Sequence, residues 1–286
     1  MSDFEKDEVS GVETTGHAWD GVKELNNPLP RWWLSIFYAT VVWAVGYCIL
    51  YPAWPLVETT TKGVLGYSSR AEVQQSLVEL NERRAPWRDR IAAADLDAII
   101  GDEELLRFAR RAGGAAFQLH CSQCHGSGAQ GAPGYPNLND DSWLWGGTLE
   151  EIHFTITHGV RNGGDEARDS EMPAFGEDLS AEETEATAAY VLKLGGLEHD
   201  AALAQKGATI FEENCAACHG ESGEGDQSLG APKLADAIWL LAGDQEGIVS
   251  QIKNPKHGVM PSWGDKLDAV TVKELAVYVH TLGGGQ

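Results

Sequence analysis

Basic charge is what this chain has least of. Lysine and arginine together number 21 against 43 aspartates and glutamates, a net charge of −22, so a nucleic acid would meet no electropositive surface and is excluded as a partner. The acidity is spread out: residues 1–31 carry three basic and seven acidic groups, and the remainder is acidic too. Such a surface either steers a basic or dipolar donor protein by an attraction that salt weakens, or simply keeps the chain solvated. Methionine is scarcer still, three in all including the initiator. Alternating runs of strand length are missing, which leaves an all-α chain with long loops as the expected fold class. Of five cysteines, four fall in two close pairs with a use of their own, so no disulfide framework is expected.

Charge of either sign vanishes between Trp32 and Val57. Residues 32–51 read as one transmembrane helix, because about twenty residues rising roughly 1.5 Å each cover a hydrocarbon core near 30 Å. Trp32, Trp33, Tyr51 and Trp54 stand at its ends, where amphipathic rings prefer the headgroup zone, and Pro30 and Pro52 bracket it. A buried core helix is seldom so long without charge. A cleaved signal fits less well, since the run follows some thirty mostly polar residues and has no small-x-small site near Tyr51. The expectation is a retained single-pass anchor in membrane lipid, spanning 32–57, with Cys48 serving as a small apolar residue inside it. Flanking charge does not orient it: Lys23 and Arg31 precede, Lys62 and Arg70 follow.

Two short motifs carry the chemistry. Cys121-Ser-Gln-Cys124-His125 recurs 94 residues later as Cys215-Ala-Ala-Cys218-His219. Thiols three positions apart can each form a thioether to one haem vinyl group, and the adjacent histidine then binds iron through a neutral imidazole nitrogen. One such motif could be a thioredoxin-like pair or half of a zinc site. The surroundings repeat as well: Gly113-Phe117-Cys121 and Gly207-Phe211-Cys215 at four-residue intervals, then Trp143 and Trp239, His158-Gly-Val160 and His257-Gly-Val259, Met172-Pro173 and Met260-Pro261, and closing helices with Tyr190 and Tyr278. A zinc ribbon needs its cysteine pairs about fifteen to twenty residues apart and no downstream methionine. Two covalently bound c-type haems are therefore expected, attached at Cys121, Cys124, Cys215 and Cys218, with His125 and His219 on iron.

A methionine thioether opposite histidine raises the reduction potential and fills the last iron position, which favours electron transfer over oxygen chemistry. Met172 and Met260, one per repeat and each stiffened by a following proline, are the expected sixth ligands. His158 and His257 compete for that role. An insertion of eleven residues, Arg161 to Glu171, separates Val160 from Met172, whereas Met260 directly follows Val259, so the first repeat departs from the pattern here.

These residues resemble the class I cytochrome c domain over about 105–197 and 203–286. That resemblance implies an N-terminal helix crossing a C-terminal helix above the haem, with Gly113 and Gly207 permitting close approach, and Phe117 and Phe211 meeting the aromatics at Tyr190 and Tyr278 respectively. Haem attachment to such proteins occurs outside the cytoplasm, which puts both domains in the periplasm and residues 1–31 in the cytoplasm of a bacterial inner-membrane protein. Together with the stretch Trp19-Asp-Gly-Val-Lys-Glu-Leu-Asn-Asn-Pro-Leu-Pro-Arg-Trp-Trp33 before the anchor, the whole chain resembles subunit III of the cbb3-type cytochrome c oxidases, the FixP/CcoP family. The resemblance implies a non-catalytic electron-transfer subunit that takes electrons from a soluble or membrane cytochrome c. It would pass them to a haem-copper subunit that reduces oxygen, beside a mono-haem cytochrome c subunit. No side chain is expected to do acid-base or nucleophilic catalysis. A di-haem peroxidase and the cytochrome subunit of a periplasmic dehydrogenase are the other classes compatible with two such motifs.

Residues 58–104 form an extension between anchor and cytochromes. Ser69-Arg-Ala-Glu72 has the form of a capping box leading into Val73, Leu77, Val78 and Leu80, the stretch around Pro86 is expected to break that helix, and a second helix is expected around 91–100. The extension either lies against a partner subunit or acts as a spacer. Further capping boxes at Thr148/Glu151, Ser180/Glu183 and Thr271/Glu274 predict helices over 149–158, 181–194 and 272–281, the last two ending near Gly195 and Gly283.

Overall fold

The computed structural model describes residues 5–241 and 243–284, and divides into two units, one up to Glu82 and one from Arg83 onward. The first unit opens with a hairpin that the sequence reading did not foresee. β1 (Thr14–Trp19) pairs antiparallel with β2 (Val22–Leu25), Trp19 opposite Val22. Asp20 at φ 51° and Gly21 at φ 85° make the turn, the two left-handed positions that favour Asp-Gly between short strands. The strands are too short for a clear alternation, so only that dipeptide signals them.

α1 (Arg31–Leu50) follows, close to the helix read over 32–51 and ending seven residues before the close of the 32–57 span, with none of its side chains buried. It is long and apolar enough to cross a membrane. Rings four apart stack along it, Trp43 on Tyr47 at 5.4 Å and Tyr47 on Tyr51 at 4.9 Å, as helical spacing dictates. Its last carbonyls do not go unmet: the N–H groups of Val64 and Leu65 donate to Ile49 and Leu50 O at 2.9 and 3.1 Å, with Gly63, at φ 69°, lying against the helix end.

α2 (Ser69–Ala93) is one helix of 25 residues and passes through Pro86. The break expected there does not occur, and the reason lies in what the later half of α2 touches. Trp87 stacks on Phe108 at 5.8 Å and Ile91 is fully buried. Arg88 pairs with Asp268 and, at 3.3 Å, with Glu274, and the Lys273 ammonium donates to the carbonyls of Ile91, Ala92 and Ala94 at 3.3, 3.2 and 2.6 Å. These contacts offset the one lost backbone hydrogen bond of a helical proline. From Arg83 onward the extension is thus part of the packed core, not a spacer, while Val73, Leu77, Val78 and Leu80 stay exposed. The Ser69 box is not formed either: Ser68 Oγ accepts from Ala71 N, and Glu72 accepts from the Tyr67 hydroxyl at 2.6 Å.

The second unit continues with α3 (Leu96–Gly101), α4 (Glu103–His120), α5 (Ser122–His125), α6 (Leu149–His158), α7 (Ala181–Leu194), α8 (Ala201–Asn214), α9 (Ala216–His219), α10 (Gln245–Lys253) and α11 (Ala269–His280). The capping boxes at Thr148/Glu151 and Ser180/Glu183 are both complete. The one expected at Thr271/Glu274 is not, because Asp268 caps α11 and Glu274 turns inward, 1% exposed, to meet Arg88.

Packing does not follow the order of the repeats. α11 lies against both α4 and α6, and α8 lies against α7, which also holds α10. Phe117 meets Tyr278 at 5.4 Å and Phe211 meets Tyr190 at 5.3 Å, the reverse of the expected pairing. A Cβ on Gly113 would strike the carbonyl of Glu274, and one on Gly207 that of Ala186. The exchange happens where the chain leaves α6. Val160 and Met260 exchange two backbone hydrogen bonds of 2.9 Å, Trp263 and Gly264 donate to Ile156 and Thr157 O at 3.1 and 3.0 Å, and Phe175 N donates to Ile252 O at 3.0 Å. The physical reason is that the two repeats present nearly the same Gly-aromatic faces, so either closing helix fits either opening helix, and the insertion of 161–171 supplies chain for the crossing. The repeats remain units of sequence; each packed half combines the front of one with the back of the other.

Two outcomes follow from this packing. A double-mutant cycle on the full chain, Phe117→Leu with Tyr278→Leu, should show an aromatic coupling of about 0.5–1.5 kcal/mol that Phe117→Leu with Tyr190→Leu lacks; denaturant unfolding of the four chains measures it. Burial pushes the Glu274 carboxyl up to about 6, outweighing Arg88 and Arg84, which pull it down. Its folded value lies above the unfolded one, so its contribution is fully present below about pH 4.5 and lost as pH rises through about 6. Glu274→Gln should therefore flatten the fall in stability across that window, and an unchanged pH profile of unfolding midpoints would contradict the assignment.

Candidate haem centres

Each motif sits where a long helix gives way to a single turn. α4 carries Gly113, Phe117 and Cys121 down one face, and its last carbonyl bonds are taken by Cys121 N onto Phe117 O at 2.8 Å. In the next turn Cys124 N and His125 N both donate to Cys121 O, at 3.1 and 3.0 Å, and Gly126 at φ 80° ends it. The second motif repeats this: Cys218 N and His219 N onto Cys215 O at 3.1 and 3.0 Å, with Gly220 at φ 77°. The turn gathers both thiols and the imidazole into one patch. Cys121 and Cys215 are half-buried, Cys124 and Cys218 exposed.

The loops after the motifs then orient the histidines. Gly131 and Gly225 donate to the His125 and His219 carbonyls at 2.7 and 2.8 Å, folding each loop back beneath its motif. That brings Pro136 O to 3.0 Å from His125 Nδ1 and Pro232 O to 3.0 Å from His219 Nδ1. A carbonyl only accepts, so the hydrogen is assigned to Nδ1 and Nε2 is left as the bare donor to a metal. Burial lowers both imidazole pKa values, with the carbonyl contacts acting in the opposite, weaker sense. Neutral imidazole with a free Nε2 is the form that ligates iron. Burial likewise pushes the Cys121 and Cys215 thiols up to about 11. A structural zinc takes four ligands, and no group of three or more histidines, cysteines or carboxylates that could hold a metal ion is gathered among the described residues.

The methionines follow the exchanged packing. Met260 packs against the cluster that holds Phe117 and Cys121, and Met172 against the one that holds Phe211 and Cys215. Each therefore lies with the motif of the other repeat, a juxtaposition that spacing did not predict. The competing histidines are engaged elsewhere: His158 faces Glu166 at 3.4 Å and packs on Phe154 at 4.4 Å, and His257 sits half-exposed in the loop after α10.

Two tryptophans at matching positions add a further indication. Trp143 Nε1 donates to Gly284 O. Trp239 Nε1 is buried and has no acceptor among the described residues, a deficit worth about 1–3 kcal/mol if it stayed unmet. A buried indole N–H on a ring packed against the apolar cluster that includes Cys215 fits the oxygen of a bound group such as a haem carboxylate. Thiols, neutral imidazoles, apolar walls and one waiting donor together fit two covalently attached porphyrins. The sequence pattern marked the cysteines, histidines and methionines; it missed the Pro136 and Pro232 carbonyls, whose only sign was a proline at the same place in both loops.

The comparisons agree with this chemistry. A family model described as the N-terminal domain of cytochrome oxidase-cbb3, FixP, matches residues 11–58, and one described as cytochrome c oxidase, cbb3-type, subunit III, matches 108–191 and 202–279. The chain is 53% identical over 289 residues to the cbb3-type cytochrome c oxidase subunit FixP of Rhizobium meliloti, covering all of both chains. It is 53% identical over 276 residues to subunit CcoP of Cereibacter sphaeroides, covering 96% of this chain and 95% of the relative, and 50% identical over 288 residues to FixP of Bradyrhizobium diazoefficiens, covering 99% and 98%. With helices, motif pair and N-terminal segment all accounted for, the chain belongs to the FixP/CcoP family of cbb3-type cytochrome c oxidase subunits.

Proposed function

We propose that this chain carries two c-type haems, bound through Cys121 and Cys124 and through Cys215 and Cys218, and relays electrons from a cytochrome c donor to a haem-copper subunit that reduces oxygen. The observation that carries the reading is the repeated motif geometry with each imidazole neutral and open at Nε2. The residues that would hold each iron are His125 with Met260 and His219 with Met172, each pair drawn from both repeats. Bound haem would supply one-electron cycling between ferrous and ferric iron. The chain's own residues do the rest: Pro136 and Pro232 fix the imidazole planes, the Met-Pro loops hold a thioether that keeps the potential high and the iron closed to peroxide, and the apolar clusters exclude water. Closed ligation favours a relay over a di-haem peroxidase.

The arrangement in the membrane belongs to the same proposal. The 32–57 segment, whose helical part belongs to α1 (Arg31–Leu50), anchors the chain in the bacterial inner membrane, residues 1–31 lie in the cytoplasm, and everything beyond the anchor lies in the periplasm, where haem is attached. Residues 58–104 connect the anchor to the two cytochrome repeats at 105–197 and 203–286. The partners are the haem-copper subunit, a mono-haem cytochrome c subunit, a soluble or membrane cytochrome c and the surrounding lipid.

Purification from solubilised membranes should give two covalent haems per chain by alkaline pyridine spectra, together with a haem-copper subunit. Fewer than two haems, or co-purification with a flavin, quinone or molybdenum dehydrogenase instead, sinks the proposal. The axial pairs are separable in chains that keep one haem. With Cys215→Ala and Cys218→Ala, Met260→Ala should abolish the methionine–iron absorption band and lower the potential of the remaining haem, and Met172→Ala should leave both. With Cys121→Ala and Cys124→Ala the roles should reverse, and the opposite assignment would return the ligands to their own repeats.

A further inference from the structure

Two glycines that the haem chemistry does not use lie at matching places in the repeats. Pro136 corresponds to Pro232, so Gly134 corresponds to Gly230; Trp143 corresponds to Trp239, so Trp145 corresponds to Leu241. The fold pairs these positions crosswise. Gly134 donates its N–H to Leu240 O at 2.7 Å, and a Cβ on it would lie 3.7 Å from the Leu241 side chain. Gly230, at φ 63°, lies flat against the six-membered ring of Trp145, where a Cβ would collide. The loop of each half thus meets the segment behind the matching tryptophan of the other, the self-complementary pattern of a two-fold contact made within one chain. Trp145 is 8% exposed, and the Arg168 guanidinium, from the insertion, lies 5.5 Å from its ring centroid.

The seam is tied to both centres. Gly134 and Gly230 each stand two residues before the proline whose carbonyl holds a histidine. From His125 the chain of contacts runs through Pro136 and Gly134, across one hydrogen bond to Leu240, beside Trp239 and its unmet indole N–H. From His219 it runs through Pro232 and Gly230 to the Trp145 ring. These contacts join the two motif loops to the opposite halves.

We propose that the crosswise seam of Gly134, Leu240, Leu241, Gly230 and Trp145 is the inter-haem junction, with Gly230 and Trp145 as positioning residues that fix the separation of the two halves for electron exchange. It rests on both motifs carrying haem. The step is balanced by one electron: a ferrous iron on one side is oxidised as a ferric iron on the other is reduced, with no proton and no bond exchanged. Neither residue is a redox carrier; each sets a distance.

The test uses the full-length, haem-loaded chain in detergent. Gly230→Asn tolerates the left-handed backbone better than other residues, so it tests bulk against the ring. It should cause loss of rapid inter-haem exchange after photoreduction of one haem and a longer iron–iron distance in pulsed electron paramagnetic resonance of the diferric form. Haem count, both potentials and both methionine–iron bands should be unchanged. Adding Trp145→Leu, which places at 145 the residue found at 241, should restore rate and distance. Trp145→Leu alone opens a gap and should also slow exchange at unchanged potentials, which keeps the test alive if Gly230→Asn fails to mature. Wild-type rate and distance in both single variants would overturn the seam while leaving the proposed function standing, as would slowed exchange that the double variant does not recover. A wild-type chain with fewer than two haems would overturn the function itself.

Discussion

Two helix crossings at glycine organise the haem-bearing part of this chain. At Gly113 and Gly207 a missing Cβ lets one helix backbone rest on the carbonyls of another, and a contact that close fixes how the two helices lie on each other. Four residues further along, a phenylalanine packs against a tyrosine of that partner, and four beyond that stands the first cysteine of a motif. The crossing therefore sets where the thiols and the imidazole lie. Because the same face occurs twice, the crossing itself leaves the choice of partner open. The loops decide it, through the paired strands of Val160 and Met260 and the docking of Trp263 and Gly264 on the end of α6.

The chemistry is conferred by burial and by backbone carbonyls more than by charged side chains. In a chain with twice as many acidic as basic groups, the neighbourhood of each imidazole contains no carboxylate partner that the structure records, only a proline carbonyl. A carboxylate there would raise the imidazole's basicity and give it more imidazolate character on a metal; a carbonyl selects the tautomer at little electrostatic cost. Charge is concentrated instead at the join between α2 and α11, where Arg88 bridges Asp268 and the buried Glu274 while Lys273 closes the end of α2.

Much of this was legible in the sequence where one residue type has one use. Cysteine spacing, the following histidine and the rarity of methionine marked the candidate iron-binding set, and complete capping boxes fixed α6 and α7 to the residue. What was illegible depended on partners distant in sequence. Thr271 and Glu274 have the form of a cap, yet Asp268 takes that role because Glu274 is claimed by Arg88 on α2. Pro86 reads as a break, yet packing on both sides of it carries the helix through. The exchange of closing helices could not be read at all, since Tyr190 and Tyr278 lie in nearly identical surroundings and periodicity contains no term that distinguishes them.

Exchange also constrains how the molecule is made. The helix that completes the front half, α11, is synthesised after α5 to α10, so the Gly113 and Phe117 face waits uncovered while that intervening polypeptide emerges. Contacts so remote in sequence close slowly and leave apolar surface open to misassociation in the meantime. A chain stopped short of residue 269 would keep both cysteine motifs and still lack the helix that covers the Gly113 and Phe117 face.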